Sequence, residues 1–172
     1  MKRTAIVILL TALSLVGLAC SNQNNVTYKD SVEKALQQAD LKDVTVSEDA
    51  DKNTITLGGT LHSDEAKAKA ADIAKSAANF RIIANEISVQ PVGIESDAKD
   101  AASALDDGIE KNYKAALITS RLAKQDISYS AKNGVLTLTG KVKTAGQRQQ
   151  AQRLAAVIPH VQQVINQIDV KG

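Results

Sequence analysis

One cysteine, two histidines and a group of cations around an isoleucine are the side chains of this 172-residue chain whose types and spacing could do chemistry. Cys20 has no second thiol with which to form an internal disulfide, so an oxidising compartment would leave its sulfur a liability unless it is modified. His62 falls at an expected strand end and His160 in an expected helix-to-strand turn, too unrelated in position to share a metal or an acid–base task. Asp49, Asp51 and Asn53 have the spacing that opens a calcium loop, but the later Gly and Glu positions are not filled, which leaves a hairpin loop. Gly58-Gly59 lacks the following helix and lysine of a phosphate loop and reads as part of a strand. The chain therefore offers no catalytic constellation, metal site or cofactor site, and we expect no enzyme. With 2% aromatic residues, stacking on nucleic-acid bases has little to work with, so no nucleic-acid partner is expected. There remain Lys111, Lys114, Ile118 and Arg121, three cations around an apolar side chain. A surface of that composition suits docking on anionic headgroups with one side chain dipping below them, although a charged helix face is also how a plain solvated face looks.

The elements that must position these residues occur twice. Shifted by 81 residues, the chain lies over its own second half without a gap: Thr54-Ile55-Thr56-Leu57-Gly58-Gly59 falls on Val135-Leu136-Thr137-Leu138-Thr139-Gly140, and Asn85-Glu86-Ile87-Ser88-Val89 on Asn166-Gln167-Ile168-Asp169-Val170. In this register Lys111, Lys114, Ile118 and Arg121 replace Asp30, Glu33, Gln37 and Asp40. The copies diverge in charge as a whole, residues 21–91 carrying 8 basic and 11 acidic side chains and residues 108–172 carrying 10 and 3.

Each unit reads as helix, strand, strand, helix, strand. Val32, Ala35, Leu36 and Ala39 recur at helical spacing, as do Ile109, Tyr113, Ala116, Leu117 and Ser120, which turns Lys111, Lys114, Ile118 and Arg121 outward. Val44-Thr45-Val46 and Ile55-Thr56-Leu57 form a hairpin, and so do Ile127-Ser128-Tyr129 and Val135 to Leu138 around an Asn133-Gly134 turn. Ser63 and Thr144 are expected helix N-caps, the latter in a capping box with Gln147. Ala70 and Ala74, and Ala151 and Ala155, let the second helices approach a sheet closely. A right-handed crossover then sets the last strand parallel to its neighbour. The fold class is α+β: two tandem αββαβ domains, each a three-stranded mixed sheet covered by two helices, at residues 28–91 and 99–172, with a linker at 92–98.

Ahead of them, Lys2 and Arg3 precede an apolar run from Ala5 to Val16, then Gly17-Leu18-Ala19-Cys20. Residues 1–19 are a secretory signal peptide, the run being too short to span a bilayer comfortably. The bond before Cys20 suits an ordinary signal peptidase, and it also resembles a bacterial lipobox with Gly17 in place of the usual leucine. The second reading implies lipidation of Cys20, with residues 20–27 as a polar tether.

Leu-x-Gly at Leu57 and Gly59 and at Leu138 and Gly140, the paired alanines, and Asn-x-Ile-x-Val closing each unit resemble the BON domain family, and their duplication behind a lipobox resembles its dual-domain envelope lipoproteins. The family usually has Gly where this chain has Asn79 and His160, residues that tolerate a left-handed backbone. The resemblance implies a non-enzymatic lipoprotein whose second domain binds anionic phospholipid and supports envelope integrity. It also implies the outer membrane, facing the periplasm, because Ser21 is not the aspartate of retained lipoproteins. Related soluble proteins imply an alternative, a stress-induced periplasmic adaptor or holdase that binds envelope or outer-membrane assembly proteins.

Overall fold

The computed structural model describes residues 27–171. The expected signal peptide, Cys20 and all of the tether but Thr27 lie outside the described residues. Helix α1 (Tyr28–Gln38) starts at Thr27, whose side chain accepts from the Asp30 backbone N–H while the Asp30 carboxylate accepts from the Thr27 N–H. Strand β1 (Val44–Asp49) pairs antiparallel with β2 (Thr54–Leu61), helix α2 (Asp64–Ala77) crosses over, and β3 (Ile82–Asn85) and β4 (Ser88–Val89) return parallel to β2. The second unit repeats this order with α3 (Glu95–Thr119), β5 (Asp126–Lys132), β6 (Val135–Val142), α4 (Ala145–Ala156), β7 (Gln163–Asn166) and β8 (Asp169–Val170). Ser63 and Thr144 cap α2 and α4 as expected, Thr144 in a full capping box with Gln147.

In each unit the third strand is broken in two, and the reason lies in its partner. Gly59 and Gly140 sit at φ +98° and +102°, and a Cβ on either would run into the carbonyl oxygen of Asp43 or Asp126. Only glycine allows the central strand to kink this close to its neighbour, and regular pairing lapses opposite the kink. Ile87 and Ile168, in the gaps, drop into the cores and are fully buried. Asn85 and Asn166 secure these breaks, donating from Nδ2 to the backbone carbonyls of Lys67 and Arg148 in the preceding crossover helices, α2 and α4. Between helices and sheet lie two cores, Val32, Leu36, Ile55, Leu57, Ala70 and Ala74 in the first and Ile109, Tyr113, Leu117, Leu136, Leu138, Ala151 and Ala155 in the second. The buried alanines confirm the helix phase read from their spacing.

Two local expectations need correction. Helix α3 begins at Glu95, so four residues expected in the linker, Glu95 to Ala98, are already helical; the Glu95 side chain accepts from the Gly93 N–H and turns the chain into the helix. His160 does take a left-handed backbone at φ +66°, but in the first unit the full left-handed value falls on Phe80 (φ +59°), with Asn79 at only +23°.

The helix-free faces of the two sheets meet. Strand alternation points Ala84, Val135 and Ile165 away from their own helices, and the three form a separate buried cluster between the units, beside the buried Thr54. Gln163 lends its side-chain amide to the edge of β3, donating to the Ile83 carbonyl (2.6 Å) and accepting from the Asn85 N–H (3.2 Å) as a peptide unit would. Gln167 donates to the Thr54 hydroxyl at 2.9 Å, Asn133 donates to the Glu86 carbonyl at 2.8 Å, and Lys52 pairs with Asp169 at 3.0 Å. Ala84 and Ile165, Glu86 and Gln167, and Lys52 and Asn133 are equivalent under the 81-residue shift, so the repeats dock through matching surfaces about a pseudo-two-fold axis, as subunits of a symmetric dimer would.

Candidate functional site

Around the C-terminal half of α3, Tyr113 and Leu117 face the core, and Lys111, Lys114 and Ile118, spaced i, i+3 and i+7, face solvent. Tyr113 fixes the helix against its unit. It is fully buried, donates from its hydroxyl to the Ala151 carbonyl at 3.2 Å, and meets the Tyr129 ring edge to face at 5.1 Å. Burial first, and the neighbouring Tyr129 second, push its hydroxyl well above the usual tyrosine range, so it stays neutral at any physiological pH. Arg121 lies just past the C-cap Ser120 at φ +60° and is exposed beside the helix end.

The structure thus keeps Lys111, Lys114 and Ile118 exposed on the C-terminal half of α3, with 60% of Ile118 open to solvent, whereas Arg121, expected on the same helix face, is exposed in the turn beyond the helix end. Among the described residues, none of the three cations is in a salt bridge. Glu110, four residues before Lys114 on α3, is engaged instead by the Ala131 backbone N–H at 2.8 Å. Like charges one turn apart on a helix cost about 0.2–0.5 kcal/mol, a penalty that an anion placed between them would remove.

Beside Ile118 is a feature that the spacing of charges did not reveal, a cavity of about 280 Å³ lined by Lys114, Leu117, Ile118, Leu122, Ala123, Gln125, Ile127 and Tyr129. Apolar walls with one ammonium group at the rim suit the neck of an amphiphile. The alternation Ile127-Ser128-Tyr129 was its only sequence signal, and that pattern marks a strand face without saying that a helix leaves space over it. The equivalent hollow in the first unit is lined by Lys29, Glu33, Gln37, Lys42 and Thr45 among others. There Glu33 pairs with Lys29 at 3.6 Å, Asp40 with Lys42 at 3.0 Å, and Asp30 is spent on its helix cap. Charge on this face is therefore neutralised internally in the first unit and left free in the second.

The other residues weighed for chemistry serve the fold. His62 Nδ1 lies 2.8 Å from the Gln90 carbonyl, the Asp49 carboxylate accepts from the Lys52 N–H and closes the first hairpin, and Gly58-Gly59 is strand. Among the described residues there is no cluster of metal-ligating side chains, and no helix is long and apolar enough to cross a membrane.

A family model described as the BON domain matches residues 25–91 and again residues 105–172. No curated protein matches the chain. Two solved structures of CdsD, a structural protein of the type III secretion system of Chlamydia trachomatis, are similar at 16% identity with TM-scores of 0.35 and 0.33. The first of these is its C-terminal domain. They cover 81% and 86% of this chain, and the chain spans 62% and 63% of theirs, a likeness too distant to bear on function.

Proposed function

The chain belongs to the BON domain family, with one copy in each half, and from that premise we propose that the second copy binds anionic phospholipid through the exposed end of α3. Cys20 carries the lipid that anchors the protein to the outer membrane, facing the periplasm, and its role there is non-enzymatic, in support of envelope integrity. One observation carries this reading: Lys111, Lys114 and Arg121 are exposed and, among the described residues, in no salt bridge, and Lys114 lines an apolar cavity together with the exposed Ile118, on a face whose repeat-equivalent is internally neutralised. Each Lys or Arg close to an anionic leaflet contributes about 1 kcal/mol, and an apolar side chain carried below the headgroups adds burial that salt does not screen. The cavity, at about 280 Å³, is at the small end of ligand pockets, which favours shallow docking on a surface over extraction of a whole lipid.

The test is co-sedimentation of the soluble Cys20→Ala protein with vesicles of rising phosphatidylglycerol fraction at several salt concentrations. Binding should grow with anionic lipid and fall with salt. Equal binding to neutral vesicles would turn the proposal toward an adaptor or holdase that recognises apolar surface. Mass spectrometry of the native N-terminal peptide addresses the anchor separately, and an unmodified Cys20 thiol there would remove it.

A further inference from the structure

Phe80 is the one phenylalanine of the chain, and its side chain is 100% exposed. It also has a left-handed backbone at φ +59°, a conformation that bulky side chains avoid and that persists only where the surroundings impose it. The surroundings here do so from both sides. Asn53 donates from Nδ2 to the Phe80 carbonyl at 3.2 Å, and the Ile82 N–H donates to the Asn53 carbonyl at 2.9 Å. The next residue, Arg81, is clamped between the Glu48 carboxylate at 3.2 Å and the ring of Tyr28, whose centroid lies 4.5 Å from its guanidinium carbon. Glu48 in turn accepts from the Lys29 N–H at 3.1 Å. The turn is thus held by the first residues of α1, with its aromatic ring directed into solvent.

The second unit does not do this. Val161, in the equivalent place, is half-buried and packs against its own core, and the left-handed backbone there falls on His160. The outward aromatic belongs to the first unit alone, at the pole where the chain arrives from Cys20. Seven residues, 20–26, precede Thr27, and at about 3.5 Å each they reach no further than roughly 25 Å. Whatever surface holds Cys20 must lie within that distance of the pole.

We propose that Phe80 inserts into the leaflet in which Cys20 is anchored and so orients the first domain on the membrane. The inference rests on the anchored reading of Cys20 given above, and its chemistry differs from that of the α3 face: an aromatic ring at the headgroup boundary gains from burial and is indifferent to lipid charge. The chain contains no tryptophan and one cysteine, so the test can be made specific. Residues 20–172 carrying Phe80→Trp are coupled through the Cys20 thiol to a maleimide lipid in phosphatidylcholine vesicles, which supplies the anchor by chemistry and leaves the α3 face without an anionic ligand. Coupling should move the tryptophan emission to shorter wavelength and make it quenchable by brominated lipids, with no change on adding salt. The same protein uncoupled, in the presence of the same vesicles, should emit as an exposed indole. An unshifted, unquenched emission after coupling would overturn the proposal, with the thermal melt of the variant showing that it is folded. Failure of the native anchor would appear instead in the mass of the N-terminal peptide, and failure of the α3 face in anionic vesicles.

Discussion

Gly59 and Gly140 show how much one residue can decide in units this small. Both combine a positive φ with a backbone oxygen where a side chain would begin, so Gly59→Ala and Gly140→Ala must distort the central strand at the point where it meets its two neighbours. Strain of this kind costs about 1–3 kcal/mol, and urea titration should register it, whereas Gly146→Ala, with only the Thr144 hydroxyl at 3.8 Å, should melt no lower than the parent. Tyr113 is the corresponding single point in the second unit. Its hydroxyl is raised in the folded state above its ordinary value of 10.0, so the stability it supplies is fully present below that pH and is lost as pH rises toward the folded value. Alkaline titration should therefore unfold the parent earlier, relative to its neutral-pH stability, than Tyr113→Phe, which cannot ionise. That variant should itself be weaker at pH 7 by about 1 kcal/mol, for the hydrogen bond to Ala151. Equal alkaline sensitivity of the two would show that Tyr113 does not titrate with unfolding.

The elements differ in how far their neighbours can be inferred from the chain alone. The order of helices and strands, the caps at Ser63 and Thr144, the Asn133-Gly134 turn and the alanines of α2 and α4 all follow from contacts within a few residues or one helical period, and the structure has them. The outward turn of Lys111, Lys114 and Ile118 follows in the same way from the burial of Tyr113 and Leu117. Thr54 and Ala84 are different. Alternation says only that they point away from α1 and α2, and their burial depends on a second sheet lying there. Gln163 was equally silent, because no periodicity marks a side-chain amide that will complete another unit's strand edge. Phe80 took the conformation expected nearer Asn79 because Asn53 and Arg81, distant in sequence or bound to distant groups, fix the turn around it. At this scale the decisive experiment is Gln163→Ala. Loss of the amide leaves the Asn85 N–H and Ile83 carbonyl without it, so hydrogen exchange at Asn85 should quicken severalfold while exchange in α4 is unchanged. Unaltered protection at Asn85 would mean that the edge of β3 is covered in some other way.

For the molecule as a whole, duplication supplies two copies of a scaffold and divergence gives them opposite surface charge. Matching surfaces on the helix-free sides lock the copies together through Ala84, Val135, Ile165 and the Lys52–Asp169 pair, leaving both first helices, α1 and α3, available to solvent on their outer sides. On α1 that side pairs its own charges, and on α3 it does not. Lipid recognition by the second copy is the central claim, and exchanging the charge pattern of one copy for that of the other tests it most directly. In the soluble Cys20→Ala protein, Lys111→Asp, Lys114→Glu and Arg121→Asp together give α3 the acidic residues that α1 has at the same places. With about 1 kcal/mol lost per cation, affinity for phosphatidylglycerol vesicles at low salt should fall by roughly a hundredfold or more, with circular dichroism unchanged. Undiminished binding by the charge-reversed protein would contradict the account.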